Sequence, residues 1–139
     1  MVVLDTSALS GAMRGDSVAL AHAQRQKPGQ LFLVPAVAAE IQFGIARLPS
    51  GSRRARLLMA EYRRWRGILR WLEWGEPACA IFGQQKARLE ARGIRIDDLD
   101  LVVASIALAH ECAVATCNIR HFKRVEGLRV LDWSARVPA

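Results

Sequence analysis

MVVLDTSALS, residues 1–10, sets a short unbroken apolar run against an abrupt polar cluster headed by Asp5. A continuous run, without apolar–polar alternation, is the pattern of a strand covered on both faces, as in a parallel sheet. The TSALSGAMRG that begins at Thr6 reads as the start of a helix or turn. QLFLVPAV (Gln30–Val37) repeats the theme: Leu31 to Val34 form the run, and Pro35 suits the first turn of the helix AVAAEIQFGIARL. AVAT (Ala113–Thr116) is a third buried strand and LRVLDW (Leu128–Trp133) a candidate fourth. Strands alternating with helices predict an α/β fold with a mainly parallel central sheet flanked by helices, an α/β/α sandwich in one domain spanning residues 1–139.

The intervening segments supply the helices. After the breaker cluster PSGS (Pro49–Ser52), the spacing of Leu58, Tyr62, Trp65, Leu69 and Leu72 predicts one amphipathic helix from Arg53 to Trp74. GEP (Gly75–Pro77) ends it, and ACAIFGQQKARLEARG forms a further helix with Gly93 just past its end. DLVVASIALAH, from Asp100 to His110, is so uniformly apolar that the helix it forms must be buried beside the sheet.

At 139 residues, 52% hydrophobic and 24% charged, the chain is of the length and balance that fold around one core. Its net charge of +7 rests on arginine, since Lys27, Lys86 and Lys123 are the only lysines. The planar guanidinium suits phosphate and stacked bases, so an anionic partner is expected, nucleic acid first. No apolar run approaches the ~18 residues of a spanning helix and no basic leader precedes Met1, so a cytoplasmic location without a membrane partner is expected. Cys79, Cys112 and Cys117 are too few and odd in number for a disulfide framework.

Against this basic background the acids stand out. In open parallel sheets the ligand crevice lies beyond the carboxyl ends of the strands. Asp5 closes the first strand, Glu40 sits in the early turns of the helix after the second, Asn118 follows AVAT, and Asp100 begins the buried helix. Singly, such acids are most often caps or solvated first-turn residues, and Asp97 or Asp98 serves as the cap of the Asp100 helix in that reading. In combination they point elsewhere. Asp5 has no cap or helix period to explain it, Glu40 interrupts an apolar run, and gathered carboxylates repel unless a cation neutralises them. Oxygen donors of this kind suit Mg2+ or Mn2+, which activates water and stabilises charge on a phosphate under attack.

VVLDTSALS, PAVAAEIQFGIARL, DLDLVVASIALAH and AVATCNIRHFKRVEGLRVLDW, in this order and spacing, resemble the blocks of a PIN domain, specifically the VapC branch of toxin–antitoxin ribonucleases. The resemblance spans Met1 to Trp133. It implies a metal-dependent RNA endonuclease that is dimeric and held inactive by a small VapB-like antitoxin, in an assembly that binds operator DNA through the antitoxin. Residue by residue it implies metal-binding and catalytic roles for Asp5, Glu40 and Asp100, with Asn118 completing the polar shell. Asp98 falls where relatives also carry an acid, and Thr6 and Ser7 match hydroxyl residues that hydrogen-bond the first acid or the scissile phosphate. Gly75 and His121 stand where relatives often have acids, which thins the donor set that a second ion would need.

Two other readings are weighed beside this one. His110, Cys112, Cys117 and His121 loosely imitate a zinc site, but a strand over AVAT would hold the two thiols roughly 16 Å apart at about 3.3 Å per residue. A catalytically silent module, using arginine to hold nucleic acid or an acidic protein, would have no use for acids in a positive groove. The basic helix is most simply a solvated face over a core stripe, with phosphate contact or a membrane surface as the alternatives.

Overall fold

A computed structural model describes residues 1–138, among which five strands and seven helices alternate. In chain order they are β1 (Val2–Leu4), α1 (Thr6–Met13), α2 (Ser17–Gln24), β2 (Leu31–Leu33), α3 (Pro35–Ala46) and α4 (Arg53–Ile68). Then follow β3 (Arg70–Trp71), α5 (Glu76–Ala91), α6 (Asp98–Ala109), β4 (Ala113–Thr116), α7 (Ile119–Phe122) and β5 (Val130–Asp132). The strands form one sheet in the order β3-β2-β1-β4-β5, and each registered pair is parallel. With helices on the sheet's faces this is the expected α/β/α sandwich.

The unbroken apolar runs become strands because both faces are covered. Val3, Leu4, Leu33, Ala113, Val114 and Ala115 have no solvent exposure. α6 earns its burial in the same way, with Leu101 to Ala107 all buried against α3, α5, β1 and β4. Truncating Ile106 at its centre to alanine is expected to cost about 2–5 kcal/mol, the lost transfer energy plus the cavity.

The helix ends are written locally. Asp16, Ser52 and Asp97 accept from the backbone N–H groups of Ala19 (2.9 Å), Ala55 (3.2 Å) and Leu99 (2.9 Å), each satisfying an orphan donor of a first turn. Gly93, with φ of 69°, closes α5 by letting the Ile94 N–H reach back to the Leu89 carbonyl at 2.9 Å.

The expected helix from Arg53 to Trp74 is corrected. It stops at Ile68, the Leu69 backbone turns extended, and Arg70 and Trp71 form the edge strand β3 by pairing with Phe32 and Leu33. Leu69 and Leu72 satisfy the helical spacing by coincidence; pairing with the free edge of β2 outweighs the weak helix propensity that remains after Gly67. Tyr62 and Trp65 are buried as that stripe predicts. Two short helices, α2 and α7, lay outside the predicted elements.

Strands β2 and β3 lie on one side of β1, while β4 and β5 lie on the other. The chain therefore reverses direction across the sheet between β1 and β4. At such a switch point the loops leaving two adjacent strands diverge, and a crevice opens beyond their carboxyl ends.

Candidate active site

Asp5 ends β1 at this point, 5% exposed. Its Oδ1 accepts from the Ser7 hydroxyl (2.7 Å) and from the Ala8 N–H (2.8 Å), while Oδ2 accepts from the Thr116 hydroxyl at the end of β4 (2.5 Å). Asp5 is thus the N-cap of α1, which corrects the expectation that no cap would account for it. Capping occupies one oxygen only. Burial pushes its carboxyl above the ordinary aspartate range, and the hydrogen bonds from Thr116, Ala8 and Ser7 pull the other way.

The hydroxyls that hold Asp5 also tie the two strand ends together. The Ser7 hydroxyl accepts from the Cys117 N–H (2.9 Å), the Thr116 hydroxyl accepts from the Asn118 N–H (2.8 Å), and the two hydroxyl oxygens stand 3.4 Å apart. Asn118 itself is exposed, and its side chain makes no capping bond to α7.

Glu40 arrives from α3, half-buried, with its Oε1 accepting from the Thr6 hydroxyl at 2.8 Å. Asp100 arrives from the first turn of α6, with its Oδ2 3.3 Å from His121 Nδ1 of α7. Burial raises the Asp100 carboxyl above its ordinary range; His121 opposes this, and the negative charges of Asp97, Glu40 and Asp5 raise it further. Asp100 therefore feels both other acids. These acids sit on three separate elements: Asp5 directly after β1, Glu40 on α3 and Asp100 on α6.

Asp98 does not join them. It reaches across to Lys86 of α5, with Nζ–Oδ1 at 2.9 Å, and is exposed. Residues 98 and 100 lie about 200° apart around a helix of 3.6 residues per turn, so Asp100 can face the crevice only if Asp98 faces away. Asp97 is occupied as the α6 cap. His121, noted in the sequence as a departure and as a member of the rejected zinc set, contacts Asp100, and Thr116, hidden in an apolar strand, turns out to be the principal donor to Asp5. A hydroxyl at the last position of a buried strand, one residue before a polar turn, was the available signal.

The donor chemistry fits a hard divalent cation, because Asp5, Glu40 and Asp100 offer oxygens only, and burial makes the charge of Asp5 and Asp100 costly. Among the described residues no three His, Cys, Asp or Glu side chains are drawn close enough to ligate a common ion. Each acid is instead held by a local donor: Thr116 and Ser7, Thr6, or His121. Cys112 and Cys117 flank opposite ends of β4, so no thiolate zinc site forms there.

A model of the PIN domain matches residues 2–128. The chain belongs to the PIN domain family. Its PIN domain is 26% identical over 136 residues to ribonuclease VapC1 of Rickettsia felis, covering 97% of this chain and 98% of the relative. In fold it is similar to a chain of the VapBC2 complex of Rickettsia felis bound to a promoter DNA fragment, with a TM-score of 0.83, 24% identity and coverage of 96% and 99%. A DNA-bound VapBC of Salmonella typhimurium gives a TM-score of 0.84 at 21% identity, covering 95% of this chain and 97% of that one. The PIN sheet and its switch point are thus shared architecture. No helix among the described residues is long and apolar enough to cross a membrane.

Proposed function

We propose that this PIN domain is a divalent-metal-dependent endoribonuclease, the toxin of a VapBC-type module. The observation that carries the reading is geometric: Thr116 at the end of β4 holds Asp5 across the switch point, Thr6, the next residue, bonds Glu40 of α3, and Asp100 opens the buried helix α6, in a chain of net charge +7. A protein that only held a polyanion would gain nothing from acids there, because they repel the phosphates that its arginines attract. The likeness to a ribonuclease over nearly the whole chain supports RNA as substrate.

Asp5, Glu40 and Asp100 would hold Mg2+ or Mn2+, directly or through water, and Asn118 completes the polar shell. When bound, such an ion lowers the pKa of a coordinated water and neutralises charge on the phosphate. The remaining residues position these acids. Thr116 and Ser7 fix both oxygens of Asp5, Thr6 orients Glu40, and His121 steadies Asp100. Because Ser7 is engaged on both sides, its hydroxyl acts on Asp5 rather than on the scissile phosphate. A cognate VapB-like antitoxin restrains the enzyme in the cytoplasm; the toxin is a homodimer, and the larger complex binds operator DNA through the antitoxin.

Incubating the purified protein with an end-labelled structured RNA in Mg2+, Mn2+ or EDTA tests the reading. Cleavage is expected with either ion, abolished by chelator and by Asp5→Asn with the fold retained. Cleavage that persists in EDTA, or full activity in Asp5→Asn, removes the mechanism.

A further inference from the structure

Of the three histidines, His22 is engaged with the Ala135 carbonyl at 2.7 Å and His110 caps the far end of α6, which leaves His121 beside the acids. A chain of backbone contacts fixes it there. The Thr116 hydroxyl that donates to Asp5 accepts the Asn118 N–H at 2.8 Å, and the Asn118 carbonyl accepts the His121 N–H at 3.2 Å. The next residue, Phe122, is 1% exposed and anchors α7 in the core. His121 Nδ1 thereby comes to rest 3.3 Å from Asp100 Oδ2.

That separation is long for an ion pair, since a charged N–H···O contact normally closes to about 2.7–2.9 Å. It suits two donors that share an ion. Neighbouring vertices of an octahedron lie about 2.9 Å apart when the bonds are about 2.0–2.1 Å, the span of Mg2+, and a 3.3 Å edge corresponds to bonds of roughly 2.3 Å. The pair is also the open part of the crevice. The Asp100 side chain is 22% exposed and that of His121 55%, whereas Asp5 is buried and its two oxygens already accept three hydrogen bonds.

We propose that His121 is a nitrogen ligand of the divalent ion, sharing one edge of its coordination shell with Asp100, and that it biases the site toward Mn2+ over Mg2+. The inference rests on the metal-dependent reading above and adds which ion the crevice prefers. Mg2+ demands oxygen donors and surrenders its waters reluctantly, while imidazole suits ions of the first transition row. Ligation uses the tautomer with the proton on Nε2, which leaves the Nδ1 lone pair for the ion. In the metal-free protein the same ring steadies Asp100.

The experiment requires no RNA. Mn2+ is titrated into the metal-free protein while electron paramagnetic resonance counts the free ion, Mg2+ affinity follows from displacement, and spin-echo modulation reports whether an imidazole nitrogen is bound to the Mn2+. Wild type is expected to show the nitrogen modulation, and His110→Gln to keep it. His121→Asp, which supplies oxygens instead, is expected to lose the modulation and to lower the ratio of Mn2+ to Mg2+ affinity by about tenfold or more. His121→Asn keeps an N–H donor for Asp100 but has no nitrogen lone pair, so it too is expected to lose the modulation; a residue that merely steadied Asp100 would have shown none to lose. His121 is exposed, so these changes leave the fold intact, which circular dichroism verifies.

Mn2+ bound to wild type without nitrogen modulation, or an affinity ratio that folded His121→Asp retains within twofold, overturns the assignment and leaves the metal-dependent reading standing. Modulation that survives His121→Asp and disappears in His110→Gln places the ion elsewhere and overturns it as well. Absence of any Mn2+ or Mg2+ binding by wild type overturns both.

Discussion

Thr116→Val isolates the contact that joins the two strands of the switch point. Thr116 is fully buried, and valine has nearly its shape, so no cavity forms. What is lost is the 2.5 Å donation to Asp5 Oδ2 and the acceptance of the Asn118 N–H at 2.8 Å. A hydrogen bond to a charged group contributes about 1.5–3 kcal/mol net, and the Asn118 N–H, on an exposed residue, recovers water. The expected cost at pH 7.5 is about 2 kcal/mol, which for a chain of this size lowers Tm by about 6–10 °C. Removing the strongest donor lifts the Asp5 carboxyl further. The loss is therefore largest where Asp5 would be ionised and shrinks as pH falls and both variants are protonated. In an Asp5→Asn background the same change should cost only about 1 kcal/mol, an amide–hydroxyl bond, and Thr116→Ser should restore stability in either background. Thermal unfolding in EDTA measures all six proteins. Equal costs of Thr116→Val in the two backgrounds would refute the claim that Thr116 acts through the Asp5 charge.

Asp5→Asn should itself change stability with pH in a defined direction. Burial raises the folded carboxyl above its unfolded value, so its contribution is fully present below the unfolded pKa and is lost as pH rises through the folded one. Relative to wild type in EDTA, the variant should gain Tm between pH 4 and pH 8; a relative loss over that range contradicts the burial argument. Asp98→Asn should leave RNA cleavage and Tm unchanged, since its partner Lys86 lies on the solvated surface; a cleavage defect comparable to that of Asp100→Asn would place Asp98 back in the site. Glu40→Gln should abolish cleavage while holding the Thr6 contact, because the amide oxygen still accepts; retained activity would show that the charge of Glu40 is dispensable.

Much of this protein was legible in its sequence because the relevant physics is local. A strand covered on both faces needs an unbroken apolar run, and β1, β2 and β4 each have one. Caps act within three residues, so Ser52, Asp97 and Gly93 mark their helix ends without reference to the rest of the chain. The switch-point rule placed Asp5 and Asn118 just beyond the carboxyl ends of β1 and β4, where the strand bounds have them.

Tertiary structure decided what depends on distant partners. Arg70 and Trp71 are a strand only because the edge of β2 is there to pair with. The hydroxyl of Thr116 matters through Asp5, 111 positions away, a contact no window of sequence contains. Between Asp98 and Asp100 the helical period says that one must face away from the crevice, but α6 is apolar almost all round, and its packing against α5 makes the choice. Sequence sets what each segment can form by itself; which charges end up sharing a low-dielectric crevice is fixed only when the sheet closes around β1, because electrostatic coupling depends on distance through space and not along the chain.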